Sequence, residues 1–184
     1  MPGRAPYNDA VKQGGRVQIH SDSMMQRIRK SEFYRNLKRG FGSIVCYPGA
    51  KPKHMQHYIM PHVVEDHPET FVVHSGTNSI HDREMTDEDL ANEVVKIGIN
   101  ARELGAVKVI ISGIVVRRNG MNVERRRRNV NRIIEQLCEK EDFVFVNNDN
   151  IQIEDIDEKD RVHLLETGSV KLANNILRAI NRLL

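Results

Sequence analysis

The chain has 184 residues, of which 39% are hydrophobic and 29% are charged. This composition is typical of one compact domain with a buried core, and it excludes an intrinsically disordered chain. No apolar run approaches the length of a membrane-spanning helix, and the first ten residues lack the apolar centre of a secretory signal peptide. The formal net charge is only +3, so a strongly charged surface requires an uneven distribution of charge.

Residues 1–15 are polar and end in two glycines. This pattern predicts a flexible arm or linker that joins the folded domain, residues 16–184, to other domains of a longer parent chain. Cys46 and Cys138 lie in apolar patterns, so we predict buried thiols and neither a disulfide nor a metal site. We expect a cytoplasmic location, with association to a membrane surface or a ribonucleoprotein as the alternative.

Strand-like and helix-like patterns alternate along the chain, and this order predicts an α/β fold. Five strands are predicted, at Val17–His20, Ser43–Tyr47, Thr70–His74, Val107–Ile111 and Phe143–Val146. Helices are predicted at Met24–Lys38, from the Thr86–Asp89 capping box to Leu104, at Asn122–Lys140 and at Gly168–Leu184. A further helix in residues 53–67 should break or restart at Pro61. The expected architecture is a three-layer α/β/α sandwich around a five-stranded parallel sheet, of the flavodoxin-like type.

The first predicted strand leads into the polar turn Ser21-Asp22-Ser23, and a helical pattern follows. In a parallel sheet, such a turn lies at the carboxyl edge, where the next helix points backbone N–H groups toward it. Ser23 could therefore present a partly activated hydroxyl at this edge. Serine is also a common N-cap, so the turn alone leaves both interpretations open.

Three further polar segments follow predicted strands or precede the last helix. They are Tyr47-Pro-Gly49, Gly76-Thr-Asn78 and Asp160-Arg-Val-His163. In this order and on these loops, they and the Ser23 turn resemble the conserved blocks of the SGNH (GDSL-type) hydrolases. The resemblance extends from about Val17 to Leu184 and implies ester hydrolysis at the carboxyl edge of the sheet.

The resemblance implies a role for each block. Ser23 is the nucleophile, His163 takes its proton and later donates it to the leaving group, and Asp160 orients His163. The backbone N–H groups of Ser23 and Gly49 and the side-chain amide of Asn78 form the oxyanion hole. No cofactor and no metal ion is needed for this chemistry.

Two positions depart from the usual blocks. Ser21 replaces the glycine of the first block, and Ser79 replaces the aspartate of the third. Neither change removes a reacting group, so we expect effects on rate and substrate fit more than on mechanism. Asp155 and Asp157 lie close to Asp160 in sequence and remain alternative partners for the histidine.

Histidines are frequent in two other places. Four of them lie within residues 53–67: His54, His57, His62 and His67. Their spacing matches no usual zinc motif and no paired cysteines accompany them, so we do not expect a metal site. His20 and His74 end predicted strands near the site, and we favour packed histidines over pocket-lining ones.

Positive charge is concentrated in residues 117–132. The helical pattern there turns apolar residues such as Val130 and Ile134 inward and the arginine cluster outward. One basic patch is predicted from these arginines: Arg117, Arg118, Arg125, Arg128 and Arg132. Such a patch could bind RNA or anionic phospholipid headgroups.

We therefore expect a serine esterase for short-chain, acetyl-type esters, because no long apolar lid is visible in the sequence. The glycine-rich junction and arginine-rich surface are also similar to the esterase domain in the first open-reading-frame protein of some non-LTR retrotransposons, which are associated with RNA packaging and membrane lipids. Two alternatives stay open. One is a catalytically weak SGNH-like module that binds RNA or anionic lipid, and the other is a flavodoxin-like nucleotide or signalling domain, although no phosphate-binding glycine loop follows the first strand.

Overall fold

The computed structural model describes residues 15–184, so all of the predicted arm except Gly15 lies outside the described residues. One parallel sheet forms the centre of the described part, with the strand order β2-β1-β3-β4-β5. The strands are β1 (Arg16–Ser21), β2 (Phe41–Cys46), β3 (Thr70–His74), β4 (Lys108–Ser112) and β5 (Val144–Val146). The predicted five-stranded parallel sheet is therefore confirmed.

Helices cover both faces of this sheet. They are α1 (Lys30–Arg35), α2 (Pro52–Asp66), α3 (Asp87–Glu103), α4 (Met121–Glu141) and α5 (Glu166–Leu183). Two 3-10 turns, Ser23–Met25 and Ile153–Asp155, complete the described elements. The Thr86–Asp89 capping box begins α3 as predicted. None of the described helices has the length and apolarity that crossing a bilayer requires.

The sheet separates two apolar cores because successive strand residues point to opposite faces. On β3, Val72 packs into the core shared with α1 and α5, whereas Phe71 and Val73 pack into the core shared with α2, α3 and α4. Each such fully buried side chain stabilises the fold by about 1.5–3 kcal/mol. The alternation therefore accounts for the three-layer arrangement.

The strand register brings the carboxyl ends of the central strands to one level. Ser21 of β1 pairs with Cys46 of β2 and with His74 of β3, and His74 pairs with Ser112 of β4. The loops that follow these strands therefore begin side by side. This edge is where ligands bind in open α/β sheets.

The prediction of one helix over Met24–Lys38 is wrong. The chain forms a 3-10 turn at Ser23–Met25, then an irregular stretch, and only Lys30–Arg35 is α-helical. Met24, Met25 and Ile28 are all buried in the same core. A continuous helix would direct adjacent residues such as Met24 and Met25 about 100° apart, so this packing favours a turn.

The predicted break at Pro61 is also wrong, because α2 continues through this residue. A proline inside a helix leaves the carbonyl four residues earlier, here that of His57, without its N–H partner. Both Pro61 and His57 are exposed, so water can solvate that carbonyl. Ile59 and Val63 anchor the helix on its buried side.

The prediction that the arginine cluster points outward holds for only part of α4. Arg127 is 5% exposed, pairs with Glu124 and Asp149, and donates to the carbonyl of Ile114 at 3.1 Å. Burial opposes its charge, but these two carboxylates outweigh burial and raise the pKa of Arg127. Arg126 is only partly exposed, and its guanidinium pairs with Asp87 and donates to the carbonyl of Ile80. Both side chains therefore fasten α4 to the domain and are unavailable to a partner.

The two thiols differ in their surroundings. Cys138 is buried as predicted, and burial raises its pKa to about 12. Cys46 is only partly buried, so the prediction of a buried thiol is wrong there. It lies at the end of β2, which is an edge strand of the sheet and has no neighbour on its outer side among the described residues.

Candidate active site

In the turn after β1, the residue that caps the 3-10 turn is not the candidate nucleophile. The carboxylate of Asp22 accepts a hydrogen bond from the backbone N–H of Met24 at 3.1 Å, so Asp22 caps the 3-10 turn. The N–H of Asp22 donates to the carbonyl of His74 at 3.1 Å and holds the turn against β3. The hydroxyl of Ser23 is therefore not needed as the cap.

Ser23 and His163 meet across 140 residues of sequence. The distance from Ser23 Oγ to His163 Nε2 is 3.1 Å, which is within hydrogen-bond range. Ser23 is 7% exposed and lies at the carboxyl edge of the sheet, immediately after β1. This arrangement can transfer a proton from the hydroxyl to the imidazole.

Asp160 holds the other side of the imidazole. Its Oδ2 atom lies 2.8 Å from His163 Nδ1, and its Oδ1 atom accepts the backbone N–H groups of Val162 and His163. Desolvation opposes ionisation, but these hydrogen bonds and the charge of His163 lower the pKa of Asp160 to about 2. The carboxylate is therefore ionised at neutral pH and can fix the tautomer of His163.

The two alternative aspartates have other partners. Asp155 is buried, and its Oδ2 atom accepts from Lys171 Nζ at 2.7 Å. Asp157 lies 3.5 Å from Arg27 and accepts the backbone N–H of Lys159. The structure thus brings Asp160, and neither of these neighbours, to the ring of His163.

The turn that contains Gly49 adjoins the nucleophile turn. The N–H of Tyr47 donates to the carbonyl of Ser21 at 2.8 Å, and the N–H of Ala50 closes the turn on the carbonyl of Tyr47. Gly49 has φ +73°, a left-handed conformation that favours glycine. Gly49 is exposed at the edge of the sheet, so its N–H group can approach a substrate.

Asn78 is fastened to the same turn from the loop after β3. Its Nδ2 donates to the carbonyl of Ala50 at 3.0 Å. A side-chain amide nitrogen carries two hydrogens, so one N–H of Asn78 remains for another acceptor. The bond therefore places this amide beside the Gly49 turn. The three predicted oxyanion donors thus lie on adjacent loops.

Solved structures match this arrangement of elements, although no protein-family model matches the sequence and no curated protein matches it significantly. An acetylxylan esterase from Geobacillus stearothermophilus has a TM-score of 0.73 at 15% identity, covering 92% of this chain and 95% of that chain. A GDSL-like lipase from Bacteroides thetaiotaomicron has a TM-score of 0.76 at 16% identity, covering 92% and 89%. The chain has the SGNH hydrolase fold. TesA also matches, with a TM-score of 0.74 at 17% identity over 92% of this chain and 99% of that chain.

Within the SGNH fold, His74 is packed as predicted, and it belongs to a buried polar network whose other members sequence reasoning missed. His74 Nδ1 lies 3.0 Å from Ser112 Oγ, which also accepts from Asn148 Nδ2 at 2.9 Å. Asn148 in turn accepts from Asn175 of α5 at 3.0 Å. The network ties the ends of β3 and β4 to α5. The signal in the sequence was the polar residue at or just after each of these apolar strands.

His20 is packed in the SGNH fold and does not line the site. Its ring lies 3.1 Å from the hydroxyl of Tyr47 and stacks on Phe71. Desolvation, together with the charge of His62, lowers the pKa of His20 to about 3. The ring is therefore neutral in the folded protein at physiological pH.

Replacing His20 with glutamine should reduce the loss of stability in acid. The ordinary histidine pKa is about 6.5, so an unfolded chain binds this proton more readily than the folded one. The stability due to the neutral ring is complete above that value and is lost as pH falls toward 3. Urea unfolding of wild type, His20→Gln and exposed control His57→Gln at pH 7 and 4.5 checks this. An equal drop in all three would contradict it.

The predicted basic patch is divided in the structure. Arg125, Arg128 and Arg132 are exposed on α4, although Arg128 pairs with Glu124 at 2.7 Å. Arg117 and Arg118 lie in the preceding loop, and their guanidinium groups bond to backbone carbonyls of neighbouring loops. The patch is therefore smaller than the sequence suggested.

The histidines of α2 and of its C-terminal cap, His67, do not form a cluster. His54, His57, His62 and His67 are all exposed. Among residues 15–184, no three or more His, Cys, Asp or Glu side chains are grouped so as to hold a metal ion.

Proposed function

We propose that this protein is a serine esterase that hydrolyses short-chain, acetyl-type esters through an acyl-Ser23 intermediate. The observation that carries the proposal is the chain of hydrogen bonds from Ser23 Oγ to His163 Nε2 and from His163 Nδ1 to Asp160 Oδ2. These are the contacts by which a base activates a serine and a carboxylate orients the base.

The first half-reaction transfers the acyl group to the enzyme. Ser23 Oγ attacks the ester carbonyl carbon while its proton moves to His163 Nε2. The tetrahedral intermediate then expels the alcohol, which takes this proton from His163. Asp160 stays ionised, stabilises the imidazolium and is not itself protonated.

The second half-reaction returns the enzyme to its starting state. Water gives a proton to His163 Nε2 and attacks the acyl carbon, and collapse of the new intermediate releases the carboxylic acid as Ser23 recovers the proton. In both halves, negative charge develops on the carbonyl oxygen. The backbone N–H groups of Ser23 and Gly49 and the free N–H of Asn78 are the proposed donors to this charge.

One comparison supports a short acyl group. Among proteins of similar structure is an acetylxylan esterase, and variants of it altered at a serine and at an aspartate were crystallised as catalytic mutants. The same two residue types carry the proposed chemistry in this chain.

A series of p-nitrophenyl esters tests the proposal. We expect kcat/KM to be highest for the acetate and to fall by about tenfold or more for the octanoate, because each misfitting methylene weakens transition-state binding. The Ser23→Ala variant supplies the background rate. A rate that rises with chain length would contradict the short-chain preference, and no activity above background would contradict the esterase itself.

The alternative function, binding of RNA or anionic lipid through the arginine patch, has less support. Arg117 and Arg118 are engaged with backbone carbonyls, and Arg128 has an acidic partner. The chain could also be a domain of a retrotransposon first open-reading-frame protein. The support for this is the sequence alone, namely the glycine-rich junction and the abundance of arginine.

A further inference from the structure

Arg117 lies in the loop between β4 and α4 and reaches across to another loop. Its Nη1 donates to the carbonyl of Thr77 at 2.6 Å. That carbonyl belongs to the peptide that joins Thr77 to Asn78. The backbone of Asn78, the proposed oxyanion donor, is therefore held by a side chain from outside its own loop.

The guanidinium of Arg117 also interacts electrostatically with two carboxylates of the site. Burial lowers the pKa of Arg117, whereas the negative charges of Asp22 and Asp160 act in the opposite direction. Asp22 belongs to the nucleophile turn and Asp160 to the segment that carries His163. One cation therefore attracts both parts of the site.

Unpaired polar atoms mark the same region. Among the described residues, Arg117 Nε and Asp22 Oδ2 are both buried without a hydrogen-bond partner. Burying a donor or an acceptor without a partner is unfavourable. The contact of Arg117 with the site loops is therefore its hydrogen bond to the Thr77 carbonyl.

Arg118 fastens the loop between β4 and α4 to the segment that contains Asp160 and His163. The backbone N–H of Arg118 donates to the carbonyl of Arg161 at 3.1 Å, and its Nε donates to the carbonyl of Ile156 at 3.0 Å. Arg161 lies between Asp160 and His163 in sequence. The loop after β4 thus contacts both the segment that contains Asn78 and the segment that contains Asp160 and His163.

We propose that Arg117 is a positioning residue, which holds the amide of Asn78 in register with Ser23 by binding the carbonyl of Thr77. This inference rests on the proposed esterase function. Arg117 acts through Asn78 and touches no reacting atom. Its loss should therefore weaken stabilisation of the transition state more than binding of the ground state.

Kinetics of Arg117→Gln with p-nitrophenyl acetate test this role. We expect kcat to fall about 10- to 100-fold, because a displaced oxyanion donor loses most of its effect. KM should change by less than about threefold, since a donor aimed at the oxyanion contributes little to ground-state binding. Thermal unfolding shows whether the variant is folded under the assay conditions.

Two further variants separate positioning from general damage. Arg117→Lys keeps the positive charge and one donor but lacks the planar fork, so it should recover at least about fivefold of the lost kcat. Arg178→Gln makes the same type of change at an exposed position of α5 and should leave kcat unchanged. A kcat within twofold of wild type in Arg117→Gln, an equal loss in Arg178→Gln, or no recovery in Arg117→Lys would overturn the proposal.

A spectroscopic measurement tests the contact without turnover. The side-chain amide resonances of Asn78, assigned by their loss in Asn78→Ala, should shift in Arg117→Gln and stay in place in Arg178→Gln. Unchanged Asn78 resonances in Arg117→Gln would overturn the positioning role. A shift in a protein without esterase activity would overturn the proposed function while supporting the positioning contact, so the two failures are distinguishable.

Discussion

Ser23→Ala should lower kcat for p-nitrophenyl acetate by about four to six orders of magnitude. The substitution removes Oγ, the atom that would bond to the acyl carbon, so no acyl-enzyme can form. The remaining oxyanion donors can still assist direct attack by water, which leaves a small residual rate. Steady-state hydrolysis by the purified variant measures this rate against the uncatalysed reaction.

The variant should remain folded, because capping of the turn is performed by the Asp22 carboxylate and not by Ser23. Ser31→Ala, an exposed serine of α1, is the matched control and should retain wild-type kcat. Activity that survives Ser23→Ala would identify a different nucleophile. A wild-type protein no faster than Ser23→Ala would favour the module that binds RNA or anionic lipid, and the exposed arginines of α4 would then be the groups to replace.

The strands were predictable because their signal is local. β3 and β4 are buried on both faces and therefore form short, nearly continuous apolar runs bounded by polar residues. Parallel pairing then brings their carboxyl ends to one edge. This geometry also made the loops after the strands the right places in which to seek reactive residues.

The arginines could not be assigned from helical periodicity. A period of 3.6 residues indicates which Cβ atoms face the core, but it does not show where a long side chain ends. Arg127 is buried because Glu124 and Asp149 meet its charge, and Asp149 lies 22 residues away in sequence. Arg117 depends in the same way on Thr77, which a linear pattern cannot connect to it.

Adjacent polar residues in the nucleophile turn posed a similar difficulty. The sequence left Ser23 as either an N-cap or a nucleophile, since both roles occur where a helix begins. The structure assigns the cap to Asp22, one residue earlier, and brings Ser23 to His163. Which of two neighbours caps a turn depends on backbone dihedral angles, and composition does not determine these.

Asp160→Asn should lower kcat by about four orders of magnitude at neutral pH. Asparagine at this position can donate its Nδ2 hydrogen to His163 Nδ1, which stabilises the tautomer with a hydrogen on Nε2. That nitrogen then points a hydrogen at Ser23 and cannot accept the proton of the hydroxyl. The asparagine oxygen can still accept the N–H groups of Val162 and His163, so the loop should keep its shape.

The pH dependence of stability and activity follows from the Asp160 carboxylate. Hydrogen bonds lower the pKa of Asp160 from 3.8 to about 2, so the stability that its ionised form contributes is present above pH 3.8 and is lost as pH falls through 2. Protonation of Asp160 therefore cannot limit wild-type activity between pH 5 and 9, and the loss in Asp160→Asn should persist across this whole range. Steady-state kinetics at several pH values in this interval measure it.

Asp157→Asn is the matched control, because its carboxylate contacts Arg27 and the backbone N–H of Lys159 and does not reach the imidazole. We expect its kcat to stay within about threefold of wild type, as is usual for a change outside the reacting groups. If Asp157→Asn were as slow as Asp160→Asn, the loss would reflect disturbance of the loop. If Asp160→Asn kept more than about a tenth of wild-type kcat, His163 would not need this carboxylate, and the proposed triad would reduce to Ser23 and His163.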